Sequence, residues 1–413
     1  MLDRTHDPAL QSWVDSANLP GTDFPIQNLP FATFRRASGP PAVGVAIGDQ
    51  VLDVTRAFHI DSIHSLLSMT RAARADLRRE ISSFLSRPSP GGESLLTPLQ
   101  AVELLLPCEI RDYTDFYASI HHATNVGSMF RPDHPLLPNY KWVPVAYHGR
   151  ASSVAVSGTP VRRPWGQIAG SPAGPPVYAP TRRLDYELEL GAFTGPGNEM
   201  GVPIPISGAA RHLVGVCLLN DWSSRDIQSW EYQPLGPFLS KSFATSISPW
   251  IVTMEALEPF RCAGDPRPDS DPHPLPHLTP AEPSAFDITL EVWLRTARLS
   301  SPVRVSSGNF RSMYWSLAQM VAHHTSNGCP LRAGSLIGSG TVSGPEKSSR
   351  GCLLEMTWRG TEPLSLPSGE TRQFLDDGDE VILRGWCEAP GFRRIGLGEC
   401  RGIVLAAQAA ASA

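Results

Sequence analysis

Residues 218–243 read LLNDWSSRDIQSWEYQPLGPFLSKSF. The apolar run 212–219 that leads into them has the length and continuity of a buried strand. It breaks at Asn220-Asp221, and the pattern predicts a helix from there until Pro234 stops it. Asp221, Arg225, Gln228 and Tyr232 are spaced by four, three and four residues, which puts an acid, a cation, an amide and a phenol on one helical face. Ile227 and Trp230 fall on other faces and are free to pack. A polar stripe that begins where a buried strand ends is a common way to present a site. It is equally the pattern of a solvated helix face carrying an Asp221–Arg225 pair. The rest of the chain has to decide between these.

Upstream, LDYELEL (184–190) alternates strictly, with Leu184, Tyr186, Leu188 and Leu190 on one face and Asp185, Glu187 and Glu189 on the other. One reading is a half-exposed strand with an acidic outer face. The other sets the Glu187 and Glu189 carboxylates about 7 Å apart along one face, which suits a hard divalent cation. Like charges placed so are unfavourable unless a cation or basic group offsets them. Further on, CLLEMTWRG (352–360) sets Glu355 in what reads as an apolar strand, where an acid is either partnered or at work. The segment 112–158 is dense in Asp115, Tyr117, His121, His122, Arg131, Tyr147 and His148. Its helical periodicity is poor, so it reads as a polar, aromatic loop of the kind that carries function. A Gly/Ser-rich turn around Thr341 lacks the closing GK[ST] of a phosphate-binding loop.

The remaining pattern is of short strands. FATFRR, AVGVAI and QVLDV follow a polar stretch 1–30 that reads as an extended arm, and Asp61-Ser62 would cap one helix reaching Leu85. This is a small β-barrel-like domain with an attached helix, ending near Pro107. A further helix is expected over 310–325, and the strands DGDEVILRGWC and IGLGECRGIVL close a β-rich second domain over 108–405. The tail 406–413 reads as disordered. The fold class is therefore mainly β with α (α+β).

Composition narrows the function. The 413 residues carry a net charge of −5 and no basic block, which excludes a nucleic-acid surface. No apolar run approaches the ~18 residues that span a membrane. The polar, acid-containing start is neither a secretory signal nor a transit peptide, and seven scattered cysteines without a CxxC imply free thiols in a reducing compartment. A cytoplasmic location is expected. Lysine occurs only at Lys141, Lys241 and Lys347, and Lys241 lies inside the opening stretch.

Taken together, DYTDFY…HATNVG, YHGRASSV, LDYELEL, NDWSSRDIQ, PLGPFL, NGC-LR-GSLIGSGT-SGPE and LDDGDEV resemble the fumarylacetoacetase family in its full-length animal and fungal form, over roughly residues 30–405. The resemblance implies an SH3-like N-terminal domain, a mixed β-roll catalytic domain and a cytosolic homodimer. It implies hydrolysis of the C–C bond of 4-fumarylacetoacetate, the last step of tyrosine and phenylalanine breakdown. By the same resemblance Asp115, Glu187, Glu189 and Asp221 match Ca2+ ligands, and Asp221, Lys241 and Thr245 match a second, Mg2+ position. His122 matches the catalytic base and Glu355 its orienting acid. Arg225, Gln228 and Lys241 match the oxyanion donors, and Tyr117, Arg131, Tyr147, Gln228, Tyr232 and Thr341 match substrate contacts. His121, the 262–283 loop, the stretch after Glu346 and the tail depart from the family pattern. Acylpyruvate hydrolases and 2-oxo-diacid decarboxylases or isomerases share the acidic site but lack the N-terminal domain and the DYTDFY…HATNVG segment. A catalytically idle scaffold would not be expected to keep His122, Glu355 and Lys241 together.

Overall fold

The computed structural model describes residues 2–88, 90–171 and 174–409. Five antiparallel strands form the N-terminal sheet, in the order Leu96–Pro98, Gln50–Asp53, Ala42–Ile47, Phe31–Arg36, Val102–Leu104. Gly48 makes the tight turn between Ala42–Ile47 and Gln50–Asp53 at φ +57°; a Cβ there would stand 2.5 Å from the Ala17 backbone nitrogen, so the N-terminal segment packs directly on this turn. Residues 2–30 are thus no extended arm. Val14, Ala17, Ile26 and Leu29 are buried, and the buried Arg78 donates to the carbonyls of Gln27 and Asn28 and to Thr5 Oγ1. The single helix expected over 61–85 is two, Ile63–Leu67 and Arg71–Leu85, because Thr70 starts a second one by accepting from Ala73 N.

A central mixed sheet runs in the order Ala146–His148, Tyr113–Phe116, Leu336–Gly338, Leu188–Thr194, Leu213–Asp221, Thr245–Ile247, Val154–Val156, with Val252–Thr253 pairing beside Leu213–Asp221. A second sheet, Val303–Asn309, Thr289–Arg295, Glu380–Cys387, Ile395–Leu405, Val161–Arg162, covers one face. Val216 and Leu218 pack with Leu290, Val292, Leu383 and Leu397 between the two sheets. Val214, Cys217 and Leu219 pack on the other face against Val45, Leu52 and Leu66 of the N-terminal part. The Leu213–Asp221 strand is therefore apolar throughout because it is covered on both sides.

Several local expectations give way to tertiary contacts. Asp221 ends the strand and the helix begins only at Arg225, running Arg225–Glu231, so the four-residue polar stripe is not a single helical face. The 112–131 segment is not an irregular loop but a strand, Tyr113–Phe116, followed by the helix Ile120–Phe130, which Ser119 caps. Glu355 sits in a four-residue helix, Leu353–Met356, instead of a strand. Its first amides donate to Asp185, a partner remote in sequence. The 310–325 helix starts at Leu317, after a Ser316–Gln319 capping box. LDYELEL is two short strands, Leu184–Asp185 and Leu188–Thr194, and its acids are buried instead of facing solvent. Residues 406 and 408 of the tail are tied down by Arg162 and Trp165, while 410–413 of the expected disordered tail lie outside the described residues. All seven cysteines are free, and among the described residues no helix is long and apolar enough to cross a membrane.

Candidate active site

Three carboxylates meet at one end of the central sheet, each from a different strand. Asp115 lies on Tyr113–Phe116, Glu189 on Leu188–Thr194 and Asp221 at the end of Leu213–Asp221. Each offers an oxygen within 4.8 Å of the others. The strand between Asp115 and Glu189 carries Gly338, where a Cβ would stand 2.6 Å from Asp115 Oδ1. The absence of a side chain there makes room for the acids. Burial and the neighbouring acids push Asp115 and Glu189 well above the usual carboxylate range; burial also raises Asp221, against the pull of Lys241. Asp115 Oδ1, Glu189 Oε1 and Asp221 Oδ1 are buried without a hydrogen-bond partner. Three buried acids with unpartnered oxygens are a poor arrangement on their own and a suitable one for a hard divalent cation, so the residues fit such a site. Tyr147 Oη closes the cluster, 3.1 Å from Asp115 Oδ2 and 2.8 Å from Asp221 Oδ2.

Glu187 stands beside this trio but belongs to an ion-pair chain. Its Oε1 accepts from Arg225 Nη1 at 2.6 Å and its Oε2 lies 2.9 Å from Lys241 Nζ. Lys241 also donates to Asp221 Oδ2, and Arg225 Nε donates to Asp185 Oδ2 at 2.9 Å. Asp221 thus pairs with Lys241, and Arg225 with Asp185 and Glu187, in place of the Asp221–Arg225 pair that the spacing offered. Burial would raise Glu187, but the Lys241 and Arg225 charges outweigh it and hold the carboxyl far below its ordinary value. Gln228 Oε1 accepts from Arg225 Nη1 at 3.1 Å, and Arg225 Nη2 is a buried donor with no partner. Thr245 faces Asp221 across the sheet.

The second unit is a His–Glu pair. Ser119 caps the helix that carries His122, and His122 Nδ1 lies 2.5 Å from Glu355 Oε2. Glu355 is fully buried and also accepts from Asn125 Nδ2 and Ser343 Oγ, each at 2.8 Å, and from Cys352 Sγ at 3.2 Å. Burial would raise its pKa; the His122 charge and these hydrogen bonds overcome that and lower it to about 2. With Nδ1 on Glu355, Nε2 is the ring nitrogen left for another partner, and the Tyr117 ring stands edge-on at 5.2 Å. Thr341 Oγ1 is buried and unpartnered.

Two expected substrate contacts sit at the periphery. Arg131 is exposed and donates to Pro135 O at 3.1 Å, and Tyr232 is exposed, accepting from Gln233 Nε2 at 3.2 Å. Residues that sequence reasoning gave no role include Asp185, Tyr113, Asn125, Ser343 and Cys352. Asp185 Oδ1 and Oδ2 accept from Leu353 N and Leu354 N, joining the Glu355 helix to Arg225. Its place on the same face as Glu187 and Glu189 was the one available signal.

A family profile described as fumarylacetoacetate (FAA) hydrolase C-terminal matches residues 112–405, and one described as fumarylacetoacetase N-terminal matches 27–107. The human fumarylacetoacetase is 48% identical over 410 residues, covering 94% of this chain and 97% of that protein. The rice fumarylacetoacetase is 47% identical over 96% of this chain and 98% of its own length. Among solved structures, the fumarylacetoacetate hydrolase of Exiguobacterium antarcticum superposes with a TM-score of 0.54 at 18% identity, covering 92% of this chain and 99% of its own. A maleylpyruvate hydrolase of Sphingobium sp. SYK-6, solved with manganese(II) and pyruvate, gives 0.52 at 16% identity over 92% of this chain and 100% of its own. Those two likenesses speak to fold; the near-full-length identity to eukaryotic enzymes, with both profiles matched in order, shows that the chain belongs to the fumarylacetoacetate hydrolase family.

Proposed function

We propose that this chain hydrolyses 4-fumarylacetoacetate to fumarate and acetoacetate, the closing step of tyrosine and phenylalanine breakdown. The observation that carries the reading is a buried acid trio with unused oxygens beside a His–Glu pair, in a chain 48% identical to human fumarylacetoacetase. Asp115, Glu189 and Asp221, with Glu187 adjacent, would hold Ca2+, and Asp221, Thr245 and the Lys241 carbonyl a second ion such as Mg2+. When bound, the cation polarises the diketone oxygens and stabilises enolate charge. Glu355 holds the Nδ1 proton of His122, so Nε2 takes a proton from water. The hydroxide formed adds to the carbonyl on the fumaroyl side. Arg225 Nη2, Lys241 Nζ and the Gln228 amide donate to the resulting oxyanion. The C–C bond then breaks, its electron pair leaving on the acetoacetate carbon, which takes the proton back from the His122 imidazolium. Tyr117, Tyr147, Thr341, Arg131 and Tyr232 orient the substrate; the two exposed ones reach it on a rearrangement of their side chains.

The test is product formation from fumarylacetoacetate before and after chelation. Turnover lost on chelation and restored by Ca2+ is expected, and no product with Ca2+ present would overturn the reaction assigned. A higher kcat/KM for acylpyruvates would move the chain to the rival class. Glu187→Gln should weaken Ca2+ affinity in calorimetry, because it removes a charge beside the trio; unchanged affinity would take Glu187 out of the cation site.

The same reading extends to a cytoplasmic homodimer. The free thiols fit a reducing compartment. Leu235 is 96% exposed and Phe238 66%, with Leu239 and Trp230 also exposed, an apolar cluster that a second copy would cover. Leu235→Glu with Phe238→Glu should shift the sedimenting species from dimer to monomer. A dimer that persists would place the interface elsewhere.

A further inference from the structure

A cavity of about 600 Å³ opens at the edge of the central sheet, and its lining includes Arg111, Arg150, Arg332, His148 and His324 but none of the three acids of the trio. Tyr113, whose Oη donates to Asp115 Oδ2 at 3.1 Å, borders both the cavity and the acid trio, while strand alternation turns its neighbours to the cavity side. Tyr147 points to Asp115 and Asp221, so its neighbour His148 faces the other way, into the cavity. Thr114, between Tyr113 and Asp115, likewise turns to this side, where its Oγ1 lies 2.9 Å from His324 Nε2. Three segments far apart in sequence bring the arginines together: the approach to Tyr113–Phe116, the exit from Ala146–His148, and the turn before Leu336–Gly338.

Asp112 is the one acid among the lining residues. Among the described residues no carboxylate forms an ion pair with any of the three arginines. Exposed arginines elsewhere do pair, as Arg35 does with Glu103 and Arg304 with Glu291. Arg150 Nε donates to Ser152 Oγ at 2.9 Å, which fixes the guanidinium and leaves its terminal nitrogens for another acceptor. His324 Nδ1 is buried with no partner. Three arginines lining one concave site of this size, one of them fixed by a neighbouring hydroxyl, are the chemistry that binds a small multivalent oxyanion. Part of the wall comes from DYTDFY and YHGRASSV, the segments that also carry Asp115 and Tyr147, yet the proposed reaction uses none of Arg111, Arg150, Arg332, His148 or His324.

We propose that this cavity is a binding site for a small polyanion bearing phosphate or several carboxylates, distinct from the catalytic site. The proposal does not depend on the reaction assigned above. It is tested by calorimetry on the cation-loaded protein at fixed ionic strength, with inorganic phosphate and tricarballylate as separate probes and chloride as control. One site per chain is expected, weakened at least about 10-fold in Arg150→Ala and lost in Arg150→Ala/Arg332→Ala, while turnover of fumarylacetoacetate without added anion is unchanged. Saturable binding of phosphate alone assigns a phosphate-bearing ligand, and of tricarballylate alone a polycarboxylate. Equal binding to wild type and double variant, or no binding by either probe, overturns the proposal. A double variant that dissociates a dimer also overturns it, since the cavity is then filled by a second copy.

Discussion

His122→Ala will lower kcat for fumarylacetoacetate by about 10³-fold, within the range that general-base catalysis contributes. The side chain is almost fully buried at the start of its helix, and its backbone amide is already capped by Ser119, so the helix survives the change. Cation affinity should be unaffected, because the trio is built from other strands. A kcat within a few-fold of wild type would remove His122 as the base. The companion change Glu355→Gln keeps the shape and removes the charge, and it should lower kcat more than it raises KM. It also has a stability signature. Glu355 is held at about 2 against an ordinary 4.5, so its ionised form stabilises the fold above pH 4.5 and that contribution is lost as pH falls toward 2. The glutamine variant should show a smaller loss of stability across that window in acid titration followed by circular dichroism.

Asp185→Ala should cost about 3–5 kcal/mol of unfolding free energy, the range for breaking a buried ion pair on one side. The reason is the number of groups left without an acceptor. Asp185 is fully buried and accepts from Arg225 Nε, Leu353 N and Leu354 N. Its removal leaves Arg225 Nε and the first two amides of the helix that holds Glu355 without an acceptor, while Arg225 keeps only its Nη1 contacts to Glu187 and Gln228. Activity should fall further than stability alone explains, since Arg225 and Glu355 lose their common anchor. Asp185→Asn, which keeps an acceptor for one helix amide, should recover part of the stability but little of kcat. A denaturation midpoint for Asp185→Ala that matches wild type would show that Arg225 and the Glu355 helix are held by other contacts.

Asp185 also shows where sequence reading stops. It was legible as the face-mate of Glu187 and Glu189, but its hydrogen bonds lead to residues 168 and 169 positions away. No periodicity reports such a contact. The same applies to the helix Leu353–Met356, read as a strand from its apolar composition. Four residues are too few to reveal a helical period, and the cap that starts it comes from another element. The helix Ile120–Phe130 was hidden differently. His, Asn and Gly dilute its apolar face, and Ser119 is a cap recognisable only once the strand before it is known.

What the sequence determined by itself was the set of elements whose signal is local. The strand into Asp221 is apolar because both its faces are covered, and the alternation in 184–190 marks extended chain, which the structure divides into Leu184–Asp185 and the start of Leu188–Thr194. Shared motifs along the chain were enough to indicate the family and so to nominate Asp115, His122, Glu187, Glu189, Asp221 and Glu355. Only the tertiary structure decided the partners. It put Asp221 at a strand end with Lys241, gave Arg225 to Asp185 and Glu187, and left Asp115, Glu189 and Asp221 with unused oxygens. Charge pairing depends on distances of a few ångströms between strands that the chain visits far apart, and those distances are set by sheet register and packing, which local spacing does not encode.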